Sequence, residues 1–232
     1  MNRSITHIFF DLDRTLWDFE ANSHDELMAI WSRNGLHQKG ISLPEEFIKV
    51  YKQINEECWE AYRKNEITKE KLRVERFRRT LIYYGIDDDN LAEDIGNQYV
   101  ANSPQRTKLV AHTHEVLEYL SGKYEMHMIT NGFEEVQHIK LEKSGLDKYF
   151  GEVVTSEMAG VKKPAQRIFD LAIEKSGGEA GRSVYVGDDL VVDVLGAISA
   201  GWHAIYYNPH GVTHNHSTFA DVQCLSEIKA VL

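Results

Sequence analysis

Cysteine is almost absent from this chain of 232 residues: only Cys58 and Cys224 occur, far apart and in no paired motif. A disulfide framework and a cysteine zinc site are thereby excluded, and a reducing, cytoplasmic setting is expected. Long apolar runs are missing too. None approaches the ~20 residues that span a bilayer, and the amino terminus lacks the charged-then-apolar pattern of a signal peptide. A soluble protein whose mature form starts near Met1 is the expectation. Positive charge is in the minority, with 26 Lys and Arg against 36 Asp and Glu and a formal charge of −10. That balance disfavours polyanions, so neither a nucleic-acid polymer nor a membrane is expected as partner, whereas a small phosphorylated metabolite needs only a few local cations. Nothing in the composition sets an oligomeric state.

What is present is an ordinary globular composition, long enough for one large core or a core with an inserted module. The most informative stretch is His7-Ile8-Phe9-Phe10-Asp11-Leu12-Asp13-Arg14-Thr15, an apolar run that stops on two carboxylates one residue apart. Its β-branched and aromatic residues are too few and too continuous for an amphipathic helix and predict a buried strand. In a parallel sheet the carboxyl end of such a strand opens into the ligand crevice. Two carboxylates ~4 Å apart repel by about 4 kcal/mol at an effective dielectric near 20, so the pair asks for a cation or a proton. Oxygen-only donors suit Mg²⁺, which takes one or two carboxylates together with substrate phosphate.

Residues 20–101 alternate helix-like segments with polar breaks. Asn22 or Ser23 can cap a first helix running through Trp31 and ending near Gly35, and Ser42-Leu43-Pro44 opens a second to about Tyr62. Phe47, Tyr51, Ile54, Cys58 and Ala61 give that second helix one apolar stripe. A third spans Thr68 to Tyr84, its many Lys and Arg read as a solvated face, and a fourth spans Asp88 to Val100. After Asn102-Ser103-Pro104 the chain alternates helix and strand: helices over 113–121, 134–144, 164–175 and 191–200, strands over 125–130, 152–155, 183–186 and 203–207. A short strand near Val222 and a helix from Ser226 follow. Such alternation predicts a parallel sheet with right-handed crossovers.

Three further strand ends carry chemistry that Asp11 and Asp13 need. Ile129-Thr130-Asn131-Gly132 offers a hydroxyl and backbone N–H groups at a helix start, a ready phosphate cradle. Lys162-Lys163-Pro164 supplies a cation, and Val186-Gly187-Asp188-Asp189 with Asp193 supplies more acids beside a glycine that permits close approach. The histidines 210, 214 and 216 lie in a polar loop at a spacing that matches no standard zinc set.

Taken in order, these motifs resemble the signature of the haloacid dehalogenase-like (HAD) hydrolase superfamily. Asp11-Leu12-Asp13-Arg14-Thr15 is similar to its first motif, Thr130 to the second, Lys163 to the third, and Gly187-Asp188-Asp189 with Asp193 to the fourth. The resemblance covers essentially the whole chain. It implies an α/β fold: a Rossmann-like parallel-sheet core of residues 1–17 and 102–232, with an inserted all-helical C1-type cap over 18–101. It also implies phosphomonoester hydrolysis in which Asp11 attacks phosphorus to give an aspartyl phosphate, while Asp13 protonates the leaving oxygen and then activates water. Mg²⁺ is implied on Asp11, the backbone carbonyl of Asp13 and Asp188. Thr130, Asn131 and Lys163 are implied at the phosphate, and Asp189 or Asp193 in support of Lys163 or a metal-bound water.

Within the superfamily, Trp17-Asp18-Phe19, Asn55 with Trp59, Ile67-Thr68 and Arg76-Phe77 are similar to the pyrimidine 5′-nucleotidase branch. This implies nucleoside 5′-monophosphate substrates, pyrimidines ahead of purines. Trp17, Phe19, Asn55 and Trp59 then become substrate-selecting candidates, an aromatic face and an amide for a flat base, or else packing between cap and core. Arg14 departs from the pattern, since many relatives carry Gly, Asp or Asn there. The same chemistry fits a phosphomutase, a phosphotransferase or a sugar-phosphate phosphatase. A regulator that binds phosphate without turnover is the remote alternative, and dehalogenation requires neither Asp13 nor the acidic metal set.

Overall fold

The computed structural model describes residues 4–232. Six strands build one sheet: β1 (His7–Phe10), β2 (Glu125–Thr130), β3 (Val153–Thr155), β4 (Ser183–Gly187), β5 (His203–Tyr207) and β6 (Ala220–Val222). All neighbours are parallel, in the order β3-β2-β1-β4-β5-β6. This is the α/β, Rossmann-like core expected from the alternation of elements. Strand order reverses between β1 and β4, the switch point outside which such sheets bind ligands.

Side chains of β1 alternate between faces, as a pleat requires. Ile8 and Phe10 enter one cluster with Met126, Met128, Val184 and Val186, and with Val116, Leu117 and Leu120 of α5 (Thr113–Ser121). Phe9 enters the other with Ile129, Tyr185 and Trp202, and with Ile168, Phe169 and Ala172 of α8 (Gln166–Ser176). Coverage on both faces explains why the run is apolar throughout rather than alternating. Burial of three large side chains on the central strand fixes the position at which it stops, and therefore where Asp11 emerges.

Two helices around the site differ from the expectation. The α8 helix begins at Gln166 rather than Pro164. Residues 190–195 wind as a π-helix, with only Gly196–Ser199 α-helical after it. The cause is local: Asp189 Oδ1 accepts from the N–H groups of both Val191 and Val192, at 2.9 Å each, and Asp193 Oδ2 accepts from Asp189 N. Side chains that bond nearby backbone compete with the regular ladder, and single π turns gather at functional sites.

By compactness the chain divides into Met1–Phe19 with Thr107–Leu232, and Glu20–Arg106. The second unit holds α2 (Pro44–Arg63), α3 (Lys69–Tyr83), α4 (Asp89–Asn102) and nearly all of α1 (Phe19–Arg33). Thr68 and Asp88 cap α3 and α4 through their side chains, accepting from Lys71 N and Leu91 N. By contrast α1 starts at Phe19, ahead of the expected caps Asn22 and Ser23, which are buried inside the helix. Ser23 instead accepts a hydrogen bond from Tyr99 Oη at 2.9 Å within the bundle. Among the described residues no helix is long and apolar enough to cross a membrane.

Gly96 marks the tightest helix contact of this unit. A Cβ added there would lie 2.8 Å from the carbonyl oxygen of Arg73, a backbone atom that cannot swing aside. Helix propensity favours Ala over Gly by about 1 kcal/mol, whereas overpacking commonly costs about 1–3 kcal/mol. We expect Gly96→Ala to lower the urea midpoint; a variant as stable as the parent contradicts the packing of α3 on α4.

Candidate active site

The ends of β1, β2 and β4 and the segment before α8 that carries Lys163 meet at the switch point, so Lys163 lies eight residues past β3 rather than at a strand end. The ladder continues one residue past β1, where Asp11 N donates to Val186 O at 2.9 Å. The chain then folds tightly: Leu12 O accepts from Leu16 N and Trp17 N, and Arg14 sits at φ 68° in the left-handed region. That region favours Gly, Asn and Asp, which gives a physical reason for those residue types at this position. Its guanidinium lies 4.5 Å from the Phe19 ring centroid.

Lys163 is the hub. Its Nζ, on a side chain only 2% exposed, donates to Asp11 Oδ1 at 2.7 Å, Asp193 Oδ1 at 2.6 Å and Tyr185 Oη at 2.7 Å, and lies 3.1 Å from Ile129 O, which accepts from Tyr185 Oη at 2.8 Å. One carboxylate oxygen from each of Asp11, Asp188 and Asp193 lies within 4.8 Å of the others. Asp188 is also bound by the Thr15 hydroxyl, at 3.0 Å. Gly187 is required for this closeness, because a Cβ on it would fall 2.4 Å from Asp193 Oδ2.

Burial dominates the electrostatics. It raises the Asp11 carboxyl well above its ordinary value; Lys163 pulls the other way, and Asp193 and Asp188 push further up. Burial and then Asp193 push Asp188 up to about 7 against Arg14, Thr15 and Lys163. For Lys163 burial favours the neutral amine, but the charges of Asp11 and Asp193 outweigh it and raise the ammonium above the ordinary lysine range. With every group ionised, three carboxylates against one ammonium leave two negative charges at the end of β1 and β4. Hard oxygen donors with that excess fit a small divalent cation.

Asp13 points to a different set. Its Oδ1 accepts from Lys140 Nζ at 2.5 Å and its Oδ2 from Gln137 Nε2 at 2.9 Å, both on α6 (Glu134–Lys143). Gln137 Nε2 also donates to Thr130 Oγ1 at 2.9 Å, and Gly132 N donates to the same oxygen at 3.0 Å. The hydroxyl hydrogen of Thr130 is left to meet an anionic oxygen. Sequence reasoning missed Lys140, Gln137 and Tyr185, none of which lies in a motif; the i, i+3 spacing of Gln137 and Lys140 on one helix face was their only signal.

The remaining predicted residues fall as follows. Asn131 brackets the backbone of Lys163, accepting from its N at 2.7 Å and donating to its O at 3.1 Å, so its side chain places the lysine. Asp193, not Asp189, touches Lys163, while Asp189 caps the π-helix. Trp17 is fully buried, with Lys140 Nζ 4.3 Å from its ring centroid, so it presents no open aromatic face; Phe19 is half-buried beside it. In the helical unit Asn55 is 3% exposed, and its Oδ1 accepts from Tyr51 Oη and Arg76 Nη1. Arg76 is buried as well, 4.8 Å from the Tyr99 ring centroid, and departs from the solvated face expected of α3. Trp59 is half-buried and meets Tyr62 edge-on.

Comparison with known proteins assigns the lineage of this parallel α/β sheet with carboxylates and a lysine at its switch point. The model of the family described as haloacid dehalogenase-like hydrolase matches residues 5–201, and the chain belongs to that family. It is similar to the pyrimidine 5′-nucleotidase YjjG of Escherichia coli (strain K12), 30% identical over 204 residues that cover 88% of this chain and 86% of that protein. It is also similar to the glyceraldehyde 3-phosphate phosphatase of Methanothermobacter thermautotrophicus, 31% identical over 87% of this chain and 84% of the relative. Among solved structures the putative HAD-hydrolase YfnB of Bacillus subtilis, described as bound to magnesium, shares the fold at a TM-score of 0.89, with 23% identity and 99% of both chains covered.

The raised Asp188 carboxyl gives a pH dependence with a definite sign. With divalent cations removed by EDTA, folded Asp188 keeps its proton up to about pH 7, whereas an unfolded Asp loses it near ~3.9. The folded chain therefore binds more protons between those limits, and stability falls as pH rises through them. Asp11 acts in the same direction. The urea midpoint of the EDTA-treated protein is expected to be lower at pH 7 than at pH 5; an equal or higher midpoint contradicts burial of uncompensated carboxylates.

Proposed function

We propose that this haloacid dehalogenase-like phosphatase is a Mg²⁺-dependent phosphomonoester hydrolase that works through an aspartyl phosphate on Asp11, with nucleoside 5′-monophosphates as substrates and pyrimidines preferred. The observation that carries the chemistry is the cluster of Asp11, Asp188 and Asp193 around the Lys163 ammonium. Asp11, Asp188 and the backbone carbonyl of Asp13 are the ligands we assign to the cation, the set that the resemblance to the family implies, while Asp193 accepts from Lys163 Nζ and Asp189 N. When bound, the ion lowers the repulsion among these carboxylates and an incoming phosphate and polarises the phosphoryl group.

Asp11 attacks phosphorus, forming the bond between its carboxylate oxygen and phosphorus as the bond to the leaving oxygen breaks. Asp13 delivers a proton to that oxygen and then takes one from the water that cleaves the acyl phosphate. Lys163 and the Thr130 hydroxyl meet charge on the transferring oxygens, where preorganised donors are worth most. Asn131 fixes Lys163 by its backbone, and Asp193 holds the ammonium from the far side.

The helical residues 18–101 are proposed to act as the cap that selects the leaving group. Identity to the E. coli nucleotidase supports nucleotides; the similar identity to the archaeal phosphatase supports a second reading, the same chemistry on a small sugar phosphate. Trp59, half-buried beside Tyr62, is the aromatic we assign to a base, since Asn55 spends its carbonyl within the bundle.

Hydrolysis of p-nitrophenyl phosphate should require Mg²⁺ and vanish with EDTA or Asp11→Asn; near-parental activity of that variant removes the nucleophile. Asp13→Asn should lose about 10²- to 10⁴-fold in turnover, the usual contribution of a general acid/base. Comparing kcat/KM for UMP, dTMP, AMP and glyceraldehyde 3-phosphate separates the two substrate readings, and a sugar phosphate as best substrate sinks the nucleotide one. Trp59→Ala should narrow any pyrimidine preference, and an unchanged preference removes Trp59 from the account.

A further inference from the structure

We propose that Gln137 and Lys140 are positioning residues for the general acid/base: together they hold both oxygens of Asp13 in one orientation and tie that orientation to the Thr130 hydroxyl. The proposal rests on the phosphomonoesterase reading above and says how the chain aims its acid.

The geometry is that of a two-point clamp. Lys140 Nζ holds Oδ1 at 2.5 Å and Gln137 Nε2 holds Oδ2 at 2.9 Å, so rotation about the carboxyl bond breaks at least one contact. The two hydrogens of the Gln137 amide are both committed, one to Asp13 and one to Thr130 Oγ1 at 2.9 Å. This leaves Oε1 buried without a partner, and the opposite amide orientation would set an oxygen against a carboxylate. Each Asp13 oxygen keeps a second lone pair, so the clamp does not block proton transfer.

Stability alone does not account for these residues. Gln137 is fully buried and Lys140 is 5% exposed, and a polar or charged side chain so placed costs desolvation that an apolar one of similar length avoids. The surroundings are shaped for them nonetheless. The ammonium of Lys140 lies 4.3 Å from the centroid of Trp17 and 6.0 Å from that of Phe19, a cation–π seat at the turn that carries Asp13. A Cβ on Gly132 would fall 1.6 Å from Gln137 Nε2, so the loop after Thr130 has room for this amide only because residue 132 has no side chain.

The aim of an acid matters only when the leaving group needs a proton. A p-nitrophenolate departs as the anion, whereas an alkoxide must receive the proton of Asp13 as its bond to phosphorus breaks. The test measures kcat/KM, which reports the steps through loss of the leaving group, for p-nitrophenyl phosphate and for the better of UMP and glyceraldehyde 3-phosphate. The variants are Gln137→Met, Lys140→Met and Lys140→Arg, with Asp13→Asn as reference. Since loss of orientation costs up to about 10²-fold, Lys140→Met should lose ~10- to 100-fold on the alkyl ester but under about threefold on the nitrophenyl ester, and Gln137→Met, which also frees the Thr130 hydroxyl, should lose on both but at least ~10-fold more on the alkyl ester, a selectivity shared with Asp13→Asn. Lys140→Arg should restore most of the loss. Two independent Met variants keep the test intact if one fails to fold. Equal losses on both esters, or none on either, in an active parent overturn the clamp alone; a parent that hydrolyses neither ester with Mg²⁺ overturns the phosphomonoesterase reading and the clamp with it.

Discussion

The contact on which the site depends is the ammonium of Lys163 between Asp11 and Asp193. Buried carboxylates are tolerated only with partners, and removing one member of such a set leaves an uncompensated charge in a medium that screens poorly. Here one lysine serves two acids that arrive from distant parts of the chain, one at the end of β1 and one in the π-helix after β4. The contact closes the sheet at its switch point, and it leaves the cluster short of positive charge. That deficit is the physical reason the site suits a small divalent cation.

Several features were legible in the sequence for plain reasons. Strands covered on both faces are continuous apolar runs, and such runs stop where the chain reaches a polar crevice, so Asp11, Thr130 and Asp188 announce themselves at strand ends. The alternation of elements after residue 102 specified a parallel sheet because parallel strands need crossovers. The position of Asn131 was also visible, but not its bonds to the Lys163 backbone, because a motif gives proximity and not the direction of an amide.

Other features were not legible. Nothing in one dimension distinguishes Asp189 from Asp193; what separates them is the π winding, which arises from their own side-chain bonds to Val191, Val192 and Asp189 N. Helix α6 buries Gln137, Lys140 and Leu141, so its inward face is mostly polar and a search for apolar stripes passes over it. The start of α1 was misplaced because Ser23 has the chemistry of a cap, yet its hydroxyl is used inside the bundle by Tyr99. Arg76 looked like one of many surface cations on α3, and only the rings of Tyr99 and Phe77 reveal its burial. For Ser23, Arg76, Gln137 and Lys140 the deciding partner lies far away in sequence.

The central claim is that the carboxylate held by Lys163 is a nucleophile and not merely a metal ligand. Rapid quenching during turnover of a ³²P-labelled monoester, followed by peptide mapping, addresses it most directly. Label is expected on the peptide containing Asp11, released by hydroxylamine as an acyl phosphate is, and none in Asp11→Asn. Steady turnover with no label on the chain, or label on another residue, would show that water attacks phosphorus directly or that the nucleophile lies elsewhere.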